Sequence, residues 1–219
     1  MDLILRLGRR GVLLVRSRNP WVLVSLSKTM SDTLNLATLA FAPLITTAKG
    51  AKQLPALTTD GDPVIWQPLE WCPVPFEPSA FSDPDANRVT LCVTPSDAMA
   101  HSIAELDAWC IATIAATPSI LGLSLTPEQV SERYASSLKV SDKGYATLRA
   151  KMNKSGRYSL KCYDSEKEPI AQPATWRGCS VRPRLVFKGL WVMGKDFGST
   201  LECTHAIVQS SEGCDECPF

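Results

Sequence analysis

At 219 residues, with 45% hydrophobic and 21% charged residues and a net charge of +1, the chain has material for one substantial soluble core and no need of two. The balance excludes a uniformly polybasic or disordered chain. No window reaches the ~18–20 uninterrupted apolar residues of a membrane helix, the nearest stretch, Asn35 to Ile45, being too short.

Residues 1 to 29 carry Arg6, Arg9, Arg10, Arg16, Arg18 and Lys28 against only Asp2, with apolar residues between them. An arginine-rich, acid-poor start is what a transit peptide to a mitochondrion or another organelle needs. The alternatives are an unstructured leader or a true start at Met30, in a protein of the nucleus or cytoplasm. Residues 1–41 are therefore set aside as a disordered leader, 42–208 are assigned to the folded domain, and 209–219 form a short acidic tail. Cysteines 72, 92, 110, 162, 179, 203, 214 and 217 are scattered, several alternating within apolar strands, a pattern of buried free thiols in a reducing compartment.

From Ala42 to Pro95 prolines are dense enough to confine strands to short or edge pieces, with candidates at Val64–Gln67 and Arg88–Val93. Ser96-Asp97 then starts a helix over about 96–116, because Met99, Ile103, Leu106, Cys110 and Ile114 recur at helical spacing. Thr126-Pro127-Glu128-Gln129 spells a capping box opening a second helix over about 127–135, with Val130 and Tyr134 toward the core.

After Ala135 the period becomes two. Ala146, Leu148, Ala150 and Met152 fall on one face of a strand, and Tyr145, Thr147, Arg149 and Lys151 on the other. The turn at Asn153–Gly156 predicts a hairpin to a second strand, with Tyr158, Leu160 and Cys162 inward and Arg157, Lys161 and Tyr163 outward. Two longer strands follow, Val181 to Met193 and Ser199 to Val208. Many strands around one helical insert predict a mainly β chain, an OB-like Greek-key barrel with two helices between strands.

Between Lys139 and Lys188 twelve Lys or Arg face four acids, a local charge of +8 in a chain of +1. Cations interleaved with Tyr145, Tyr163 and Trp176 suit a single-stranded nucleic-acid groove, where charge follows the phosphates and rings accept unstacked bases. The bland reading of the same face is a solvated sheet laced with lysines. Catalysis has little to rest on: the two histidines, His101 and His205, read as structural, and no phosphate loop, paired carboxylates or Ser-His constellation emerges. No cofactor is expected. The rival is a structural zinc site made of Cys203, His205, Cys214 and Cys217, the first two placed on the same side of a strand by their spacing.

The stretch from Trp176 through Gly178, the corner Met193-Gly194-Lys195-Asp196-Phe197 and the strand Gly198-Ser-Thr-Leu201 to Val208 resembles the C-terminal half of the OB-fold single-stranded DNA-binding proteins of short-tailed phages and large eukaryotic DNA viruses. In order and character the resemblance runs over about residues 88 to 208. It implies a non-catalytic protein that coats and protects single-stranded DNA in replication, recombination or repair, with RNA left open and no membrane partner. By the same resemblance Arg149, Lys151, Arg157 and Lys161 would meet phosphates, Tyr145 and Tyr163 would stack on bases, and Lys188 and Lys195 would extend the track. Trp191 and Phe197 rank lower, as core or corner residues. Glu212, Asp215, Glu216 and Phe219 would let the tail occupy the empty groove or recruit replication or recombination proteins. The alternative is an OB-fold module that binds protein or RNA, stapled by zinc.

Overall fold

The computed structural model describes residues 5–7, 12–15, 22–25, 34–47, 50–80, 83 and 85–209. The transit-peptide reading rests largely on residues outside these, and the tail residues Glu212, Asp215, Glu216 and Phe219 lie wholly outside them. The chain divides into two units, Met1–Met30 and Ser31–Phe219. In the first, β1 (Leu5–Leu7), β2 (Val12–Val15) and β3 (Val22–Ser25) pair antiparallel in that order.

The second unit is mainly β, a sheet curled into a half-barrel with two helices, as the OB-like expectation has it. A 3-10 turn at Leu36–Thr38 leads into β4 (Leu39–Phe41) and β5 (Ile45–Thr46), both paired with β6 (Lys52–Thr58). Residues 36–41, set in the leader by sequence, thus contribute a strand to this unit. Pro55 sits inside β6 because the partner on one edge changes there: Lys52 and Gln53 face β5, Ala56 to Thr58 face β4, and Pro55 O accepts from Ala42 N at 2.8 Å in between. The short strands β7 (Val64–Trp66) and β8 (Cys72–Pro73) follow, and β9 (Arg88–Val93) buries Val89, Leu91 and Val93.

Helix α1 (Asp97–Ala116) is capped by Ser96, whose side chain accepts from Met99 N, and it stops at Thr117 before Pro118. Its buried residues are the five that the periodicity singled out. In α2 (Pro127–Arg133) the capping box of Thr126 and Gln129 is complete and Val130 is fully buried. This helix ends two residues earlier than its sequence pattern suggests. Tyr134 and Ala135 form β10 instead, parallel to Phe197–Gly198, because the ladder and a polar clasp both claim Tyr134. The Tyr134 and Ser136 hydroxyls donate to Asp107 on α1, and the Tyr134 ring meets Phe197 edge-on at 5.7 Å. Burial raises the Asp107 carboxyl above its ordinary range and outweighs these two donors, and burial likewise drives the Tyr134 phenol upward.

The remaining strands are β11 (Leu138–Val140), β12 (Ala146–Asn153), β13 (Lys161–Tyr163), β14 (Pro169–Ile170), β15 (Ser180–Met193) and β16 (Asp196–Gln209). β15 and β16 pair antiparallel along their length through the Gly194-Lys195 turn. β15 carries β6, β7 and β8 on its other edge, while β16 carries β10, β12 and β13, all parallel to it. β12 also pairs with β9 and β11. Residues 72–79 span the gap between β15 and β9: Pro73 pairs with Ser180, Pro73 O accepts from Thr94 N, and Ser79 bridges Thr90.

The expected hairpin between β12 and β13 does not form. Both run parallel to β16, at Lys151↔Glu202 and Lys161↔His205, and so follow one another along a strand too long for either to cover alone. The intervening turn is held by Asn87, whose backbone O accepts from Lys154 N and whose Oδ1 accepts from Ser155 N. Leu160 and Cys162 are buried as expected, but Tyr158 lies on the turn, 73% exposed, under the Arg157 guanidinium.

Three substitutions probe the stability of these contacts. Gly189, at φ +97°, lies against β6 so closely that an added Cβ would sit 2.0 Å from Leu54 O, so Gly189→Ala is expected to lower stability by more than about 2 kcal/mol. Gly194→Ala, also at positive φ but in open space, should cost only about 1–2 kcal/mol, and urea melts of the pair measure the difference. Tyr134→Phe, which strips a donor from half-buried Asp107, should cost about 1.5–3 kcal/mol in the same assay.

Candidate nucleic-acid interface

Strand alternation sorts the side chains before any contact is counted. On β12, Leu148, Ala150 and Met152 go to the core, which leaves Thr147, Arg149 and Lys151 outside. β9 places Thr90 and Cys92 beside them, at Lys151↔Thr90 and Arg149↔Cys92, and β16 adds Glu202 opposite Lys151. A groove on this outer face is lined by Lys139, Arg149, Lys151, Thr90, Trp191 and Thr200. A second, sharing Lys139 and Arg149, continues past Phe76, Val140, Lys143 and Tyr145. Phe76 is 59% and Tyr145 72% exposed, large apolar areas left in water beside four cations.

The cations are held without being neutralised. Lys151 Nζ donates to Thr90 Oγ1 at 2.8 Å, and its ammonium is shifted below the usual lysine range by burial first and then by Arg88 and Arg149. Arg88 reaches from β9 to Glu202 at 3.1 Å, so the acid on this face is already engaged. Among the described residues no carboxylate pairs with Lys139, Lys143, Arg149 or Lys151. The Cys92 thiol is raised by burial despite these neighbours, which keeps it protonated and a poor nucleophile. Ser137 and Ser199, at the groove's end, hydrogen-bond to each other and to backbone.

Of the residues the sequence nominated, Arg149 lines both grooves, Lys151 the first and Tyr145 the second. Lys161 and Tyr163 lie farther along β16 and line a separate hollow with Pro169, Ile170 and Gln172. Arg157 sits on the 154–160 turn, Lys188 at the bulge between Phe187 and Gly189, and Lys195 in the Gly194-Lys195 turn; all three are exposed and line neither groove. Trp176, expected among the stacking rings, is only 5% exposed and belongs to the core, its backbone N–H donating to Glu77 at 3.0 Å. Phe197 is core as well, whereas Trp191 lines the groove. Phe76, Lys139 and Lys143 were missed as site residues. The spacing within β11 and β12 could have offered the lysines, but nothing local marks Phe76, which a proline-rich loop brings in.

The zinc site is overturned in its first half. A bulge between Arg184 and Leu185 of β15 makes Thr204 the extra residue, so Cys203 pairs with Leu185 and faces the core while His205 pairs with Arg184 and faces out. Cys203 is 1% exposed, and burial drives its thiol upward, the opposite of a metal-bound thiolate. Cys214 and Cys217 lie outside the described residues, among which no cluster of three or more metal-binding side chains occurs. The thiols of Cys72, Cys92, Cys110, Cys162 and Cys203 are free.

No protein-family model matches the chain, and no curated protein matches it. Among solved structures it is similar to the single-stranded DNA-binding protein of bacteriophage Enc34 in complex with ssDNA, at 11% identity and TM-score 0.45, over 77% of this chain and 95% of that one. It is also similar to gp2.5, a single-stranded DNA-binding protein encoded by bacteriophage T7, at 13% identity and TM-score 0.44, over 69% and 96% of the two chains. A likeness of that size leaves the functional reading to the chemistry of the groove.

Proposed function

We propose that the chain is a non-catalytic protein that binds and coats single-stranded DNA with little sequence preference. The observation that carries this reading is the pair of adjoining grooves that share Lys139 and Arg149, one lined also by Lys151 and Trp191 and the other by Lys143, Phe76 and Tyr145. Unpaired cations at this spacing suit a phosphate backbone, and exposed flat rings suit bases already out of a duplex. Thr90, Thr147 and Thr200 add hydroxyls that hydrogen-bond without selecting a base. The hydroxyls at the groove's end are engaged with each other rather than with a base, which favours binding over turnover. Protection of DNA strands during replication, recombination or repair is the process such coating serves, and the acidic tail would recruit partners there.

Fluorescence anisotropy with labelled oligo-dT across a salt series tests the reading. The log–log slope of affinity against salt should be near −3 if four phosphates are neutralised, at about −0.7 each. A Lys139, Lys143, Arg149 and Lys151 quadruple alanine variant should keep its thermal melt and lose most of that slope; an unchanged slope sinks the assignment. Tyr145→Ala and Phe76→Ala should each weaken oligo-dT binding by about 1–3 kcal/mol. Duplex DNA should bind far more weakly than oligo-dT, and oligo-U in parallel reports how the chain ranks RNA.

A further inference from the structure

Farther along β16, the same outer face holds a second group of cations built around a histidine. The bulge at Thr204 turns His205 outward, where its Nδ1 lies 3.1 Å from Arg184 Nη1 and 3.0 Å from Thr204 Oγ1. A guanidinium only donates, so Nδ1 is the acceptor and the ring is neutral, with its proton on Nε2. Lys161, on β13, is the register partner of His205, and the Tyr163 ring stacks on the imidazole at 6.1 Å and 15°. Neither Arg184 nor Lys161 has a carboxylate partner among the described residues. A neutral imidazole between two unpaired cations lacks one thing, an anion.

We propose that Arg184, Lys161 and His205 form a second phosphate subsite, in which one backbone phosphate of the bound strand draws Arg184 off the imidazole and His205 takes up a proton from solvent. The subsite rests on the nucleic-acid reading above. Thr204 makes the exchange cheap. Its hydroxyl donates to the neutral Nδ1 at 3.0 Å alongside Arg184 and can swing its proton to Arg184 O, 3.5 Å away, so that the oxygen accepts the new Nδ1–H once the guanidinium has left. Tyr163, already parallel to the ring, offers a flat surface to the base next to that phosphate.

The sign of the pH dependence follows. Without ligand, burial, Arg184 and Lys161, in that order, hold His205 below its ordinary value near 6.5. With a phosphate in place the imidazolium is favoured and the value rises. Binding therefore takes up a proton between the two values, and affinity falls as pH rises through that window, by at most about tenfold per pH unit. The other groups around the ring are Tyr163 on β13 and Arg182 two pairs along on β15, with the Cys162 and Cys203 thiols beneath; Glu202, the nearest acid on the strand, is held by Arg88. Burial raises both thiols, so neither ionises there.

Anisotropy with a 20-nucleotide oligo-dT at pH 5.5 to 8.5 tests the subsite in the full chain. The wild type should bind several-fold more tightly at pH 5.5 than at 7.5. His205→Gln, which cannot take up a proton, should flatten that profile. His101→Gln, on exposed α1 surface, should leave the profile unchanged. Arg184→Gln should weaken binding at every pH and reduce the salt slope by about 0.7. Wild type that binds with a flat profile, or His205→Gln that keeps the wild-type profile, overturns the subsite alone. A wild-type chain that binds no oligonucleotide overturns the nucleic-acid reading and the subsite with it.

Discussion

The pairing of β15 with β16 is the constraint from which the rest of the main unit hangs. Each is a fourteen-residue strand, each presents a second edge, and six other strands of the main unit pair with one of those edges and carry the remaining five on their own far sides. Continuous pairing over that length would make an evenly twisted ribbon, and two irregularities bend it. One, beside Gly189, lets β6 approach until only a hydrogen fits between the backbones. The other, at Thr204, exchanges the two faces for the rest of the strand.

Because the faces exchange, a single strand serves the core with Cys203 and the solvent with His205. Alternation on β9 and β12 does the same by simple period, with Leu91 and Leu148 inside and Arg149 and Lys151 outside. Core and groove are thus one pattern read from two sides, and a change of register would exchange them. Burial first and neighbouring cations second hold Lys151 and His205 below their ordinary values, and the cations' mutual repulsion on one face lowers the stability of the empty protein. An anion along the track removes that repulsion, so binding and stabilisation draw on the same electrostatic source.

What was legible in the sequence is what depends on near neighbours. The buried face of α1, the capping box at Thr126 and the inward set of β12 all follow from spacing within one element, and the structure agrees residue by residue. What was illegible depends on which edge a strand finds. Residues 153–156 look like a hairpin turn, yet β16 offers a longer free edge than β12 does, and β13 takes it. Pro55 disguises β6 because its cost vanishes only where two partner strands meet. Cys203 and His205 seem to share a side until a bulge separates them. Trp176 looks like a ring for stacking, and only its burial beside Glu77 shows otherwise.

The sequential placement of β12 and β13 along β16 has a consequence for how such a protein can vary. The register of β12 is set by β9 and that of β13 by β14 and β16, so neither depends on the length of the 154–160 turn between them. That turn carries exposed Arg157 and Tyr158 and is a place where residues can be gained or lost without moving the strands on either side. The spacing between the two halves of the outer face is set by β16, while the reach of the turn above them is free to change. Length of contact with a bound strand and rigidity of the scaffold are in this way governed by different parts of the chain.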